Sequence, residues 1–329
     1  VKASALLLYA SPLHNPDNNR EKWAQAAAAA KAVMDLKTYH LADNYKTMLH
    51  SRTSPGTIFQ STINKVWQVS KDDWVRIMQP PSQGGGWANT QPLQNLVDEY
   101  EMTNGRRITD PASGYSADDP YKDRDPRFYQ TVIYNGCKWA GSTINTYVGS
   151  GVDGLNYKTG STQTGYYMGG KMLDENSTLI SSYRPGSHFW VFMRYAETLL
   201  DYAEAQNEAA GPDQSVYDAI NAIRDRPTVG MPHLPAGLSK EQMREYIRHE
   251  RRVEMALEPS RFWDIRRWRI GDQVMKAAYG MRVEKNPDAT FSYSKFLVED
   301  RIYKPAFDLF PVPQSEMERN KALVQNPGY

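Results

Sequence analysis

The sequence predicts a mainly α-helical fold, in which tetratricopeptide-like helical repeats surround a loop-rich region carrying short strands. Three observations lead there. The last third keeps the three-to-four residue apolar spacing of helices over Arg194–Ala210, from Ser215 onward, and across Ser239–Asp272. Residues 1–36 read as a second helical pair, rich in Ala, which lets helices approach closely. Between them, from about residue 40 to 190, Gly, Ser, Thr and Tyr displace the helical period. A strict 34-residue repeat is absent, so the pattern is one of helix–turn–helix pairs.

In chain order, the first helix spans Lys2–Ala10 and turns at Ser11–Pro12, and the second runs from Arg20 to Leu36. The pattern weakens from Tyr39 to Gln79, where Thr57–Phe59 leans towards strand. Pro80–Pro81 and Gly84–Gly86 require a loop. A short helix follows, with Leu93, Leu96, Val97 and Tyr100 on one side, and ends near Asn104–Gly105. Pro120–Phe128 is a charged turn before a strand-like run, Tyr129–Tyr134, and residues 135–170 are expected to form irregular loops with short strands.

Arg194–Ala210 turns Tyr195, Leu199, Tyr202, Ala203 and Gln206 inward and stops at Gly211–Pro212. Ser215 with Asp218 caps the next helix, whose Val216, Ile220 and Ile223 face the core. Ser239 and Gln242 have the spacing of a capping box. Met243, Tyr246, Ile247, Val253 and Leu257 then make an apolar face. Pro259 ends that helix, Ser260 caps its successor, and Phe262, Ile265 and Trp268 form the successor's ridge. Pro311 and Pro313 exclude a central strand near the end of the chain, whose apolar tail is expected to pack on the body.

Charged residues on apolar faces need partners. Glu250 falls on the buried face of its helix, where an unpaired carboxylate is costly. Arg251, Arg252, Arg261, Arg266 and Arg267 crowd the same two helices, so the expectation is a Glu–Arg pair at their junction. Glu197, Asp201, Glu204 and Glu208 form an acidic stripe that either faces solvent or meets the arginines of residues 244–269.

The totals narrow the function. A net charge of +1 leaves no nucleic-acid footprint, and the single Cys137 permits neither an intrachain disulfide nor a thiolate metal site. No apolar run approaches the roughly 20 residues of a membrane span. His249–Glu250 opens like a zinc-protease helix, but Val253 stands where the second His is needed. No nucleophile elbow surrounds any Ser, and the triple Gly lacks the Lys of a phosphate loop. Asp118, Asp119, Asp123 and Asp125 form a cluster that could take a calcium ion, but without calcium-hand spacing they read first as an acidic turn. Neither a metal nor a cofactor is expected.

What remains is aromatic. The chain has 21 Tyr and 8 Trp against 9 Phe, which favours side chains with an apolar face and a polar edge. A sugar ring stacks its C–H face on such a ring and offers its hydroxyls to amides. Trp67, Trp74, Trp87 with Asn89, and Trp139 lie in or beside poorly periodic segments and are the candidate ligand-binding residues. The competing reading is that each Trp pins its own loop to the core.

Two long motifs carry a family resemblance. HERRVEMALEPSRFWDIRRW (His249 to Trp268) and the ending FPVPQSEMERNKALVQNPGY (Phe310 to Tyr329) resemble the SusD/RagB family of Bacteroidetes outer-membrane nutrient-binding lipoproteins. Thr90, Leu96, Val97, Asp98, Tyr100, Glu101 and Met102, the Asp125–Pro126–Arg127 element and Thr164–Glu175 also match. The departure is Pro259, which bears on the turn between the two helices.

The resemblance implies a single SusD-like domain over 1–329 that lacks its N-terminal part: a helical pair to 36, a ligand region over about 40–190 and a helical part over 191–329. It further implies a non-catalytic, lipid-anchored protein at the extracellular face of the outer membrane. Such a protein would bind an oligosaccharide or other nutrient and deliver it to a SusC-like TonB-dependent transporter. A glycoside hydrolase and a helical-repeat interaction scaffold are the alternatives.

Overall fold

The computed structural model describes residues 1–51, 53–61, 74–158, 160–175 and 190–329, with the backbone alone at Trp74 and Val75. Its frame is a set of antiparallel helix pairs. The first pair is α1 (Lys2–Ala10) with α2 (Arg20–Asp35) and the second is α6 (Tyr195–Ala210) with α7 (Gln214–Arg224). α2 lies along α6, and α8 (Lys240–Glu254) packs on α6 from another side. Small side chains allow this: Ala26, Ala27 and Ala30 share one core with Leu199, Leu200 and Ala203, and Ile220, Ile223, Met243 and Ile247 complete it. Burial of such a set is the main driving force for the frame.

Helix ends follow local chemistry, with two corrections. The capping box of α8 forms: Ser239 Oγ accepts from Gln242 N, and Gln242 Oε1 accepts from Ser239 N. α7 is capped by Asp213, whose carboxylate accepts from Ser215 N and Val216 N. Ser215 and Asp218 do not cap it; the hydroxyl of Ser215 donates to Asp213 instead. α8 stops at Glu254, before Pro259, and Ser260 is the first residue of α9 (Ser260–Arg267) rather than its cap. Its hydroxyl is buried without a hydrogen-bond partner among the described residues.

The middle of the chain holds two smaller cores and short elements. β1 (Thr57–Gln60) pairs antiparallel with β6 (Val191–Arg194). α3 spans Trp74–Met78 and α4 spans Gln94–Val97. The first half of the expected strand at Tyr129–Tyr134 is helix, α5 (Pro126–Thr131), because Asp125 caps it and Pro126 occupies the first turn. Only β2 (Val132–Ile133) remains extended, paired with β5 (Tyr167–Met168). β3 (Lys138–Trp139) and β4 (Ser142–Thr143) form a tight hairpin.

Beyond α9 and the short α10 (Gly271–Val274), a long hairpin interrupts the helical run: β7 (Ala277–Lys285) with β8 (Phe291–Asp300). The helical period anticipates none of it, although Asn286–Pro287–Asp288 between alternating runs is a turn signal. α11 (Gln314–Arg319) closes the element order. The tail is tied down where Tyr329 Oη donates to Leu309 O and Asn326 Nδ2 to Phe310 O. Phe262 is 41% exposed and stacks near Phe310, so the ridge of α9 is Ile265 and Trp268 alone. No described helix is long and apolar enough to cross a membrane.

Buried ion pairs join frame to loop region. Arg127 of α5 bonds Asp125, Glu250 and Glu254; Arg224 of α7 bonds Glu250 and Glu101; Arg194 and Arg226 converge on Glu254. Glu250 is therefore paired as expected, but with arginines of α5 and α7 rather than those of the α8–α9 junction. Burial pushes its carboxyl up, and Arg127 with Arg224 outweigh this and hold it at about 2. The acidic stripe also faces arginines: Arg251 bonds Glu197 and Asp201, Arg267 bonds Glu204, and Arg244 bonds Glu208.

Candidate functional site

The 900 Å³ cleft beside the triple glycine is where loop chemistry collects, and its size suits a small-molecule site. One wall is the segment after α3. Gly86 packs so closely under Gln79 that an added Cβ would lie 2.2 Å from the Gln79 carbonyl oxygen, so only Gly allows this path. The next residues run back along α3: Trp87 N donates to Arg76 O at 2.8 Å and Asn89 N to Ile77 O at 2.9 Å. Ala88 between them sits at φ +49°, a strained backbone for Ala, and is buried. Trp87 is thereby left 37% exposed, with the Arg76 guanidinium 5.2 Å from its ring centroid.

The other wall is Gly/Ser-rich, with Val152, Lys158, Gly160, Ser161, Gln163 and Thr164 lining the cleft. Gln91 holds the two walls together. Its Nε2 donates to Ala88 O at 2.9 Å and to Ser161 O at 3.3 Å. Its Oε1 accepts from the backbone N–H groups of Gln163 and Thr164 and from the hydroxyls of Thr162 and Thr164. One side-chain amide thus replaces a strand pairing. Ser161 Oγ accepts from Lys158 N and donates to Lys158 O, fixing the turn that carries Lys158. Asn89 and Gln163 line the cleft and their side-chain amides have no hydrogen-bond partner among the described residues, so amide donors and acceptors stand beside the exposed indole.

The candidate residues separate. Trp87 and Asn89 line the cleft together. Trp139 does not: it is 3% exposed and sits in the core with Met78, Ile144, Tyr167 and Leu173, so it pins the β3–β4 hairpin and is unavailable to a ligand. Trp74 opens α3, whose carbonyls receive the Trp87 wall, and its side chain is outside the described residues. Trp67 lies outside the described residues altogether. Sequence reasoning missed Gln91, Lys158 and Gln163. Their signal, polar long side chains in the Gly-rich segments that carry the tryptophans, is visible only once the two segments are known to meet.

The remaining candidates for chemistry are structural. His249 is buried, and its Nε2 is 2.6 Å from Glu99 O. Asp125 is the buried cap of α5 and Arg127's partner, while Asp118, Asp119 and Asp123 are exposed. Among the described residues no three His, Cys, Asp or Glu side chains are grouped to hold a metal ion. The described residues lining the cleft include no carboxylate.

Comparison with known proteins agrees with this architecture. Residues 44–329 match the SusD family. The chain belongs to that family. SusD-like protein P2 of Formosa agariphila is 32% identical over 152 residues, 44% of this chain and 27% of that protein. A SusD-like protein of Bacteroides fragilis superposes with a TM-score of 0.79 at 26% identity, covering all of this chain and 65% of that one. A SusD-like carbohydrate-binding protein of the same species gives 0.77 at 26% identity, over 97% and 62%. The SusD-family chain described here thus spans about a quarter of that curated relative and under two thirds of those two solved chains.

Proposed function

We propose that this SusD-family protein is a non-catalytic, cell-surface carbohydrate-binding protein. It captures an oligosaccharide in the cleft and passes it to a SusC-like TonB-dependent transporter, held at the outer membrane by a lipid anchor. The observation that carries the binding step is Trp87, a half-exposed indole on a strained, tightly tethered wall beside the free amides of Asn89 and Gln163. Such a surface supplies a stacking face and hydrogen bonds in fixed positions, so little order is lost on binding. The carbohydrate-binding description of the Bacteroides fragilis relative supports the same class of ligand. Transporter delivery and anchoring rest on the family resemblance.

A hydrolase needs two carboxylates about 5 to 10 Å apart across the sugar, and the wall residues supply amides, hydroxyls and an indole instead. The test is calorimetry with a glycan panel on the whole protein. Binding of at least one oligosaccharide, reduced about tenfold or more by Trp87→Ala, supports the proposal. Turnover of a bound glycan that a single Glu or Asp substitution abolishes overturns it.

A further inference from the structure

The charge of the cleft adds a ligand class to this reading. Lys158 is the charged side chain among the cleft-lining residues, and it is exposed. Its ammonium lies 5.5 Å from the Tyr157 ring centroid and enters no ion pair with a described residue. The turn that carries it is doubly bonded through Ser161, and an added Cβ at Gly160 would lie 3.6 Å from the Trp87 carbonyl oxygen. The backbone next to this cation therefore abuts the backbone of Trp87. Behind the Trp87 wall the Arg76 guanidinium stacks on the indole, and its buried Nε has no hydrogen-bond partner among the described residues. The carboxylate nearby in sequence, Asp153, turns inward, is buried, and accepts from Ser82 N at 2.9 Å.

We propose that the cleft selects acidic saccharides, with a sugar ring on Trp87 and a carboxylate or sulfate ester on Lys158. Resting on the saccharide reading of the same cleft, this places one lining cation, and among the described residues no lining carboxylate, beside one stacking face. Like charges repel a cationic ligand, neutral sugars gain only the stack and amide bonds, and an anion gains a charge-assisted bond as well.

The experiment compares four polymers by calorimetry on the full chain: polygalacturonate, its carboxyl-reduced form, a sulfated galactan and its desulfated form. The expected result is binding of one acidic polymer at least about fivefold tighter than its neutral counterpart, with a preference that shrinks at high salt. Whichever acid is preferred distinguishes uronate from sulfate ester. Lys158→Gln is expected to bring the acidic polymer down to the neutral level while Lys158→Arg retains the preference. Equal binding of acidic and neutral forms, or a preference unchanged in Lys158→Gln, overturns the selectivity and leaves the saccharide site standing. No binding of any polymer, or binding insensitive to Trp87→Ala, overturns both.

Discussion

The helical frame and the cleft hold their polar groups in opposite ways. In the frame, Glu250 and Glu254 are fully buried and meet Arg127, Arg194, Arg224 and Arg226, partners drawn from α5, β6, α7 and the segment just after α7. In the cleft, neutral amides and hydroxyls do the tethering and leave Asn89, Gln163 and Lys158 free. A buried charge that lacks its partner is costly, so these buried acids of the frame each meet an arginine. A binding surface needs the reverse: groups held in place by their neighbours while their own valences stay open. The comparison teaches that here the ions build and the amides are left to recognise.

Removing one side of the buried network should produce the largest effect. Arg127→Met leaves Asp125, Glu250 and Glu254 short of a shared cation and should cost about 3–5 kcal/mol in denaturant unfolding. Close behind it, Trp139→Ala empties a core position and should cost about 3–5 kcal/mol. Trp87→Ala, the same substitution on the cleft wall, should shift stability by less than about 1 kcal/mol and act on ligand affinity instead. Similar stability losses in both Trp variants would erase the distinction between frame and cleft.

Gln91→Ala unties the two walls. It should lower stability by about 1–2 kcal/mol and weaken ligand binding several-fold, because the Trp87 wall loses its tie to the facing loop. An unchanged affinity would show that the walls are positioned by something else. Ser239→Ala, which breaks a cap of the frame far from the cleft, should cost about 1 kcal/mol and leave binding alone.

The pH profile sharpens the comparison within the frame itself. Glu250 and Glu204 are held at about 2 against an ordinary 4.5, in each case because nearby arginines outweigh burial. Their contribution is complete above pH 4.5 and is lost as pH falls from there through 2. Glu197 is opposite: burial, with Asp201 beside it, pushes it up to about 7 despite Arg251. Its protonation favours the folded state, so its contribution is complete below 4.5 and is lost as pH rises through 7. Melting temperature should therefore fall on both sides, and Glu197→Gln should flatten only the neutral limb.

Much of the frame was legible in advance. The capping box at Ser239, the inward positions Leu199, Tyr202 and Ala203, and the burial of Glu250 all follow from spacing along a single helix. The long β7–β8 hairpin is not legible in the helical period, because its alternation begins directly after a helix-rich stretch. The Asp125–Pro126 start of α5 was misread because aromatic, β-prone residues follow a cap that decides the local conformation.

By itself, then, the sequence determined which segments coil into helices, that Glu250 would be paired, and that aromatic rings in irregular segments were the candidates for recognition. Those are consequences of neighbours within a few residues. The tertiary structure alone decided that Glu250 meets Arg127 and Arg224, separated from it by 123 and 26 positions. It also decided that Trp87 faces a cleft while Trp139 faces the core. Two tryptophans in similar loops have the same local preferences, and only the side chains that arrive from distant segments settle which of them is covered.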